Sequence, residues 1–68
     1  MEMGKIVKYY RVKKGMSQEE VAESIVSPSY LSRIENNKTT VDKETLILLL
    51  QRVGVDYEEI RSDEGKIK

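Results

Sequence analysis

The sequence predicts a compact all-α domain, and three observations support this fold class. Apolar residues recur at intervals of three and four, β-branched alternation is absent, and the 68 residues include only four glycines and one proline. A chain of this length buries only roughly 60% of its unfolded surface, so it forms one domain with a small core. We expect five helices within residues 1–60, packed as one compact bundle, and a polar C-terminal tail over residues 61–68 that frays.

The first helix is predicted from Gly4 to Lys14, with Gly15 as its stop signal. The second helix begins at a capping box, in which the Ser17 hydroxyl and the Glu20 carboxylate each satisfy the other residue's amide. We expect this helix to cover residues 18–25. The predicted core positions of the two helices are Met3, Ile6, Val7, Tyr10 and Lys14 in the first, and Val21, Ala22 and Ile25 in the second.

The third helix is predicted over residues 28–36, where Ser27 serves as the cap and Pro28 occupies the first helical position. Its apolar Leu31 and Ile34 face inward. The next two residues, Asn36 and Asn37, end the helix because asparagine tolerates a left-handed backbone. The polar residues left on the outer face are Ser29, Ser32, Arg33 and Asn36.

The fourth helix starts after Asp42 and runs to Val53, where Gly54 closes it. Its core stripe is formed by Leu46, Leu49, Leu50 and Val53. The fifth helix is predicted to begin at Asp56, with Glu59 three residues later, and to bury Tyr57 and Ile60.

Composition excludes several classes of function. Without cysteine or histidine, the chain cannot form disulfides, Cys/His zinc sites, a thiol nucleophile or a histidine-based catalytic site. The acidic pairs Glu58-Glu59 and Asp63-Glu64 have no predicted pocket around them. We therefore expect no enzyme activity, no metal and no cofactor. There is no apolar run of roughly 20 residues and no signal-peptide core, so a cytoplasmic protein without a membrane partner is expected.

Charge gives little information about partners. The 12 basic and 12 acidic residues cancel, although residues 1–40 carry seven basic against five acidic residues and residues 41–68 carry five against seven. A nucleic-acid interface requires only one basic face, so zero net charge does not exclude it. An evenly solvated neutral surface would give much the same distribution.

The pair of short helices at 18–25 and 28–36 is the most informative feature. Only two or three residues are predicted to join them, which favours crossing near a right angle, as in a helix-turn-helix, over an antiparallel hairpin. This arrangement would leave the polar face of the third helix exposed to a partner.

Two segments resemble the lambdoid-repressor (Cro, XRE) family of helix-turn-helix domains: GMSQEEVA at residues 15–22 and SYLSRIEN at residues 29–36. The similarity extends from about Gly4 to Ile60. The connection between the two helices is one residue shorter than the common form and lacks its usual glycine. In this respect the chain is most similar to the DNA-binding domains of peptide-sensing quorum regulators, in which a sensor domain follows.

The resemblance implies sequence-specific binding of double-stranded DNA by a transcription regulator, with residues 28–36 in the major groove. The residues implied to contact bases are Pro28, Ser29, Ser32 and Arg33. Those implied to contact phosphate are Gln18, Asn36, Lys38, Thr39 and Thr40. The ring of Tyr30 could lie against the DNA backbone or cover the core. Arg11 and Glu35 are implied to form a structural ion pair.

Each of these roles has an alternative. Gln18 could be a solvated residue of the capping box, Arg33 could pair with a phosphate or a carboxylate, and the loop at 36–40 could be ordinary surface. Regulators of this design usually bind as two-fold dimers, and Ile47 with Leu48 could supply a homodimer contact or the seat of a following sensor domain. A lone exposed leucine is also common. The alternative function is a protein-interaction module, such as an antitoxin-like or anti-repressor subunit.

Overall fold

The computed structural model describes residues 3–60, which are all-helical as predicted and contain no strand. The helices are α1 (Met3–Lys13), α2 (Gln18–Ala22), α3 (Pro28–Glu35) and α4 (Lys43–Arg52). The described part of the fifth helix, α5, comprises residues 57–60. The predicted tail at 61–68 and its acidic pair Asp63-Glu64 lie outside the described residues.

The helices begin at the predicted caps. The Ser17 hydroxyl accepts from the Glu20 amide at 3.0 Å, and the Glu20 carboxylate accepts from the Ser17 amide at 2.7 Å. At α3 the Ser27 hydroxyl accepts from the Tyr30 amide at 3.1 Å. Each cap satisfies an amide that has no partner within its helix, which fixes where the helix starts.

Helix stops also follow the predicted chemistry. Gly15, Asn37 and Gly54 have φ values of 69°, 57° and 81°, in the left-handed region that glycine and asparagine tolerate best. The stops confirm the predicted ends of three helices to within one residue. Lys14, which was predicted on the buried stripe of the first helix, lies just beyond α1 and is exposed, so that prediction was wrong.

The predicted length of the second helix was also wrong. Helix α2 ends at Ala22, so five residues, 23–27, connect it to α3 in place of the two or three expected. Ser24 turns into the left-handed region, with φ of 65°, and the amides of Ile25 and Val26 both donate to the Ala22 carbonyl. The left-handed backbone at Ser24 cannot continue a right-handed helix, so α2 stops at Ala22.

The core lies where α1 and α2 each pack against both α3 and α4. Its buried members come from all four helices and from Val53, which follows α4. They are Val7, Val21, Ala22, Leu31, Ile34, Leu46, Leu49, Leu50 and Val53. Tyr57 and Ile60 pack on its edge, as expected for α5. None of the helices in residues 3–60 is both long enough and apolar enough to cross a membrane.

Gly4 allows α1 to approach the end of α3. A Cβ atom at this position would overlap the backbone carbonyl of Ile34. Backbone cannot move aside as a flexible side chain can, so only glycine permits this contact. The close approach sets the position of the C-terminal end of α3 relative to α1.

Candidate nucleic-acid interface

Helix α3 has a buried inner face and a largely exposed outer face. Leu31 and Ile34 are buried, whereas Pro28, Ser29 and Arg33 are exposed and Ser32 is half-buried. These four polar or small residues are the predicted base-contacting set, and they share the side of α3 that faces away from the core. A helix exposed in this way has the dimensions that a DNA major groove admits.

Tyr30 ties the start of α3 to the loop that follows it. The half-buried ring packs against the core, and its hydroxyl donates to the Thr40 carbonyl at 2.9 Å. This contact with the core is one of the two positions expected for the ring, and the other, against a DNA backbone, stays a prediction. The hydroxyl therefore holds the loop at 36–40 against α3.

The loop folds back on the C-terminal end of α3. The Asn36 side-chain amide donates to the Ser32 carbonyl at 2.9 Å, and the Lys38 backbone amide donates to the Arg33 carbonyl at 2.8 Å. Lys38 and Thr40 are exposed, and the half-buried Thr39 has a weak 3.4 Å contact with the Thr40 carbonyl. The loop thus presents an ammonium and two hydroxyls, all groups that can donate to phosphate.

Asp42 closes this loop and caps α4. One of its carboxylate oxygens accepts from the Thr45 hydroxyl at 2.7 Å and the other from the Thr45 amide at 3.1 Å. Both hydrogen bonds favour the charged form and lower the pKa of Asp42 below its ordinary value. The bond from the Thr45 hydroxyl has the larger effect on the pKa, followed by the bond from the Thr45 amide.

Arg11 of α1 and Glu35 of α3 form a bidentate ion pair. The Arg11 Nε and Nη2 atoms donate to the two Glu35 carboxylate oxygens at 2.7 and 3.1 Å, and Nη1 donates to the Met16 carbonyl at 3.0 Å. The Glu35 side chain is 1% exposed and that of Arg11 is 13% exposed. A fork of this kind fixes orientation because two parallel bonds define both distance and plane.

Gln18 joins the same cluster. Its side-chain amide donates to Glu35 Oε1 at 3.1 Å, so the buried carboxylate connects α1, the start of α2 and the end of α3. The amide has a second proton that this bond does not use. Sequence spacing gave no signal for this contact, because the two residues are 17 positions apart and lie in different helices.

Arg52 provides a second long-range contact that was missed. From the last turn of α4, its guanidinium donates to the carbonyls of Glu20 and Glu23 at 2.9 and 3.0 Å. Carbonyls at a helix C-terminus lack partners within the helix, so Arg52 caps α2 from outside. The two carbonyls lie 32 and 29 positions away in the sequence, so local sequence gives no signal for this contact.

The two residues predicted to form an interface lie next to each other on α4. Leu48 is 50% exposed and Ile47 is half-buried. Neither is part of the hydrophobic core or of the residues packed against it. The structure therefore leaves a small apolar area on α4 outside the described core.

Comparison with known proteins gives one family and one relative. The family described as "Helix-turn-helix" matches residues 7–60. "Transcriptional activator NprA" of Geobacillus stearothermophilus is 50% identical over 36 residues, which are 53% of this chain and 9% of that protein. The chain therefore spans only a small part of this relative's length. No solved structure matches the chain.

Proposed function

Since a match over residues 7–60 places this chain in the helix-turn-helix family, we propose that it binds double-stranded DNA in a sequence-specific manner as a transcription regulator. Helix α3 enters the major groove in this proposal. The observation that carries it is the exposed face of α3, on which Ser29 and Arg33 lie opposite the buried Leu31 and Ile34. The rest of the site serves to hold that face in place.

Base readout is assigned to Pro28, Ser29, Ser32 and Arg33. Arginine can donate two parallel hydrogen bonds to guanine O6 and N7, which contributes roughly 1–3 kcal/mol of discrimination between bases. Serine hydroxyls donate or accept, whereas Pro28 offers only an apolar contact, as to a thymine methyl. We therefore assign the strongest base preference to Arg33.

Phosphate contacts are assigned to the two ends of the motif. Gln18 lies in the first turn of α2, where the free amides favour an anion, and its hydrogen bond to Glu35 leaves one amide proton for phosphate. On the other side, the loop at 36–40 offers Asn36, Lys38, Thr39 and Thr40. Because Tyr30 uses its hydroxyl on Thr40, its own part is to hold this loop, and any phosphate contact by Tyr30 would use the ring edge.

A homodimer on DNA is part of the proposal. One domain reads only a few base pairs, and two domains bound to half-sites about 10 base pairs apart would read enough for specificity. Leu48 and Ile47 supply the apolar contact in this arrangement. A following sensor domain, which would fit the greater length of the matched activator, would use the same area or another part of a longer protein.

A protein-interaction module is the second candidate function. The exposed Leu48 and the zero net charge favour it, since neither is needed for binding DNA. Salt separates the two functions, because phosphate contacts make affinity fall steeply as salt concentration rises.

The test is selection of duplexes from a random pool, followed by affinity measurements with two variants. Arg33→Ala should weaken binding to the selected duplex by roughly 1–3 kcal/mol and relax the preference at one base pair. Gln18→Ala should weaken selected and unrelated duplexes to a similar degree, because phosphate is common to both.

Thermal unfolding is the control for both variants. If Arg33→Ala bound the selected duplex as tightly as the parent, base readout by Arg33 would be wrong. A loss with Gln18→Ala that depended on sequence would contradict its phosphate role. If no duplex were enriched and binding were insensitive to salt, the protein-interaction module would replace the proposal.

A further inference from the structure

The outer face of α1 forms an open groove of about 600 Å³ beside the end of α3. Its lining consists of Lys5, Lys8, Tyr9, Val12, Lys13, Glu35 and Asn36. Apart from Asn36, none of these residues has an assigned contact with DNA. The groove is therefore a second surface, distinct from the outer face of α3.

The groove contains the two most exposed large apolar side chains in residues 3–60. Tyr9 is 60% exposed and Val12 is 59% exposed, and they lie three positions apart on the same side of α1. The Tyr9 ring stands edge-on to the Tyr10 ring at 5.1 Å, and the Lys13 ammonium lies 5.8 Å from its centroid. These two contacts favour the orientation that the Tyr9 ring has, while most of the side chain stays available to a partner.

Charge around the groove has one sign. Helix α1 carries three lysines and Arg11 but no acidic residue. The single carboxylate in the lining, that of Glu35, is already engaged by Arg11 and Gln18 and is almost fully buried. A partner would therefore meet an apolar centre with a basic rim.

We propose that this groove docks an acidic amphipathic helix of a separate protein. The partner's apolar stripe would cover Tyr9 and Val12, and its flanking carboxylates would face Lys8 and Lys13. An α1 of 11 residues is about 16 Å long, which matches a partner helix of three turns. This docking does not depend on the proposed recognition of DNA by α3.

A protein partner fits this surface better than further DNA backbone. Phosphate contacts use hydrogen-bond donors, and an aliphatic side chain such as Val12 contributes nothing to them. Aromatic side chains surrounded by a polar rim are typical of protein interfaces. Asn36 borders the groove and also belongs to the loop assigned to phosphate, so the docked helix would lie beside bound DNA.

In the experiment, helical peptides from a random displayed library are selected for binding to the parent chain. Peptides that also bind Val12→Ser are removed beforehand. One selected peptide is then synthesised and titrated against the parent, Lys8→Glu, Val12→Ser and Gln51→Ser. Gln51→Ser is the control because Gln51 is exposed on α4 and has no part in the groove or in the proposed DNA and dimer contacts. Circular dichroism verifies that each variant is folded.

We expect selected peptides to be rich in Asp and Glu, with apolar residues three and four positions apart. Lys8→Glu and Val12→Ser should each weaken binding of such a peptide at least about tenfold, corresponding to about 1.4 kcal/mol. Gln51→Ser should leave the affinity unchanged. Backbone amide signals of residues 5–13 should shift when the peptide is added.

Three outcomes would overturn the proposal. The first is that no peptide prefers the parent over Val12→Ser. The second is that an unrelated duplex displaces the peptide and Lys8→Glu weakens that duplex, which would make the groove a phosphate surface. The third is that the chain self-associates through this face and Val12→Ser abolishes the association, which would make the occupant a second copy.

Discussion

At the scale of single residues, the two left-handed positions within residues 3–60 that are not glycine have unequal costs. Asn37 and Ser24 have φ values of 57° and 65°. Asparagine enters this region more readily than other side chains, whereas serine has no such advantage. Ser24 lies in the connection between α2 and α3. The protein thus holds some backbone strain in the turn of the motif.

Ser24→Gly should stabilise the domain by about 0.5–1 kcal/mol. Glycine removes the steric cost of the left-handed conformation, and this gain exceeds its larger loss of backbone entropy. Thermal unfolding would show a midpoint higher by several degrees, since about 1 kcal/mol corresponds to about 4–8 °C in a domain of this size. Ser24→Ala is the control and should not stabilise. Equal midpoints for Ser24→Gly and Ser24→Ala would contradict the strain.

Asp42 should make the start of α4 sensitive to acid. Because hydrogen bonds from Thr45 lower its pKa in the folded state, Asp42 stabilises the fold fully above the unfolded value of about 3.9. That stabilisation is lost as the pH falls below this value and through the folded pKa. Asp42→Asn keeps an acceptor for the Thr45 amide but has no charge to lose.

The measurement is the unfolding midpoint of the parent and Asp42→Asn between neutral pH and pH 2. We expect the parent to be the more stable of the two at neutral pH and the difference to shrink as acid is added. The same difference at both ends of the range would show that ionisation of Asp42 contributes nothing to stability.

At the scale of helices, starts were predictable and one stop was not. A start depends on local chemistry, since Ser17, Ser27 and Asp42 bond to an amide three positions later. Helix α2 ends early because of the turn at Ser24 and because Arg52, from another helix, holds the carbonyls of Glu20 and Glu23. A partner 29 to 32 positions away leaves no trace in local periodicity.

The candidate site was likewise predictable where it depends on local sequence and not where it depends on contacts between distant residues. Exposure of Ser29 and Arg33 follows from helical periodicity around Leu31 and Ile34, which the sequence displays directly. The contact between Arg11 and Glu35 was suggested by family resemblance, whereas the contact of Gln18 with the same carboxylate was not. A buried carboxylate can serve several donors at once, and only the packed structure shows which donors reach it.

Arg52→Ala should destabilise the motif selectively at its turn. Loss of two hydrogen bonds from a charged group to the end of α2, at an exposed position, should cost about 1–2 kcal/mol in urea unfolding. Hydrogen exchange should speed up at the amides of Ile25 and Val26, which pair with the Ala22 carbonyl in this turn.

Arg52→Lys should recover part of the lost stability, because a single ammonium can reach one carbonyl but lacks the planar fork. Arg33→Ala is the control, since it removes an exposed arginine outside this contact. Equal exchange rates in the parent and Arg52→Ala would contradict the capping role.

At the scale of the whole molecule, zero net charge conceals an uneven distribution. Helix α1 contains only basic charges, and acidic residues lie in the first turns of α2 and α4. Local potential, not the total, determines which surface attracts a polyanion or an acidic protein. The two proposed surfaces, on α3 and on α1, can therefore serve different partners within one neutral chain.

The measurement that tests the central claim most directly is a double-mutant cycle between Arg33 and one guanine of the selected duplex. Replacing that guanine by 7-deazaguanine removes only the N7 acceptor. The account predicts that this replacement weakens binding of the parent but has almost no further effect on Arg33→Ala, because the lost bond is the same one. If the two losses simply added at every guanine of the site, Arg33 would not read a base there, and the assignment of α3 as the recognition helix through Arg33 would be wrong.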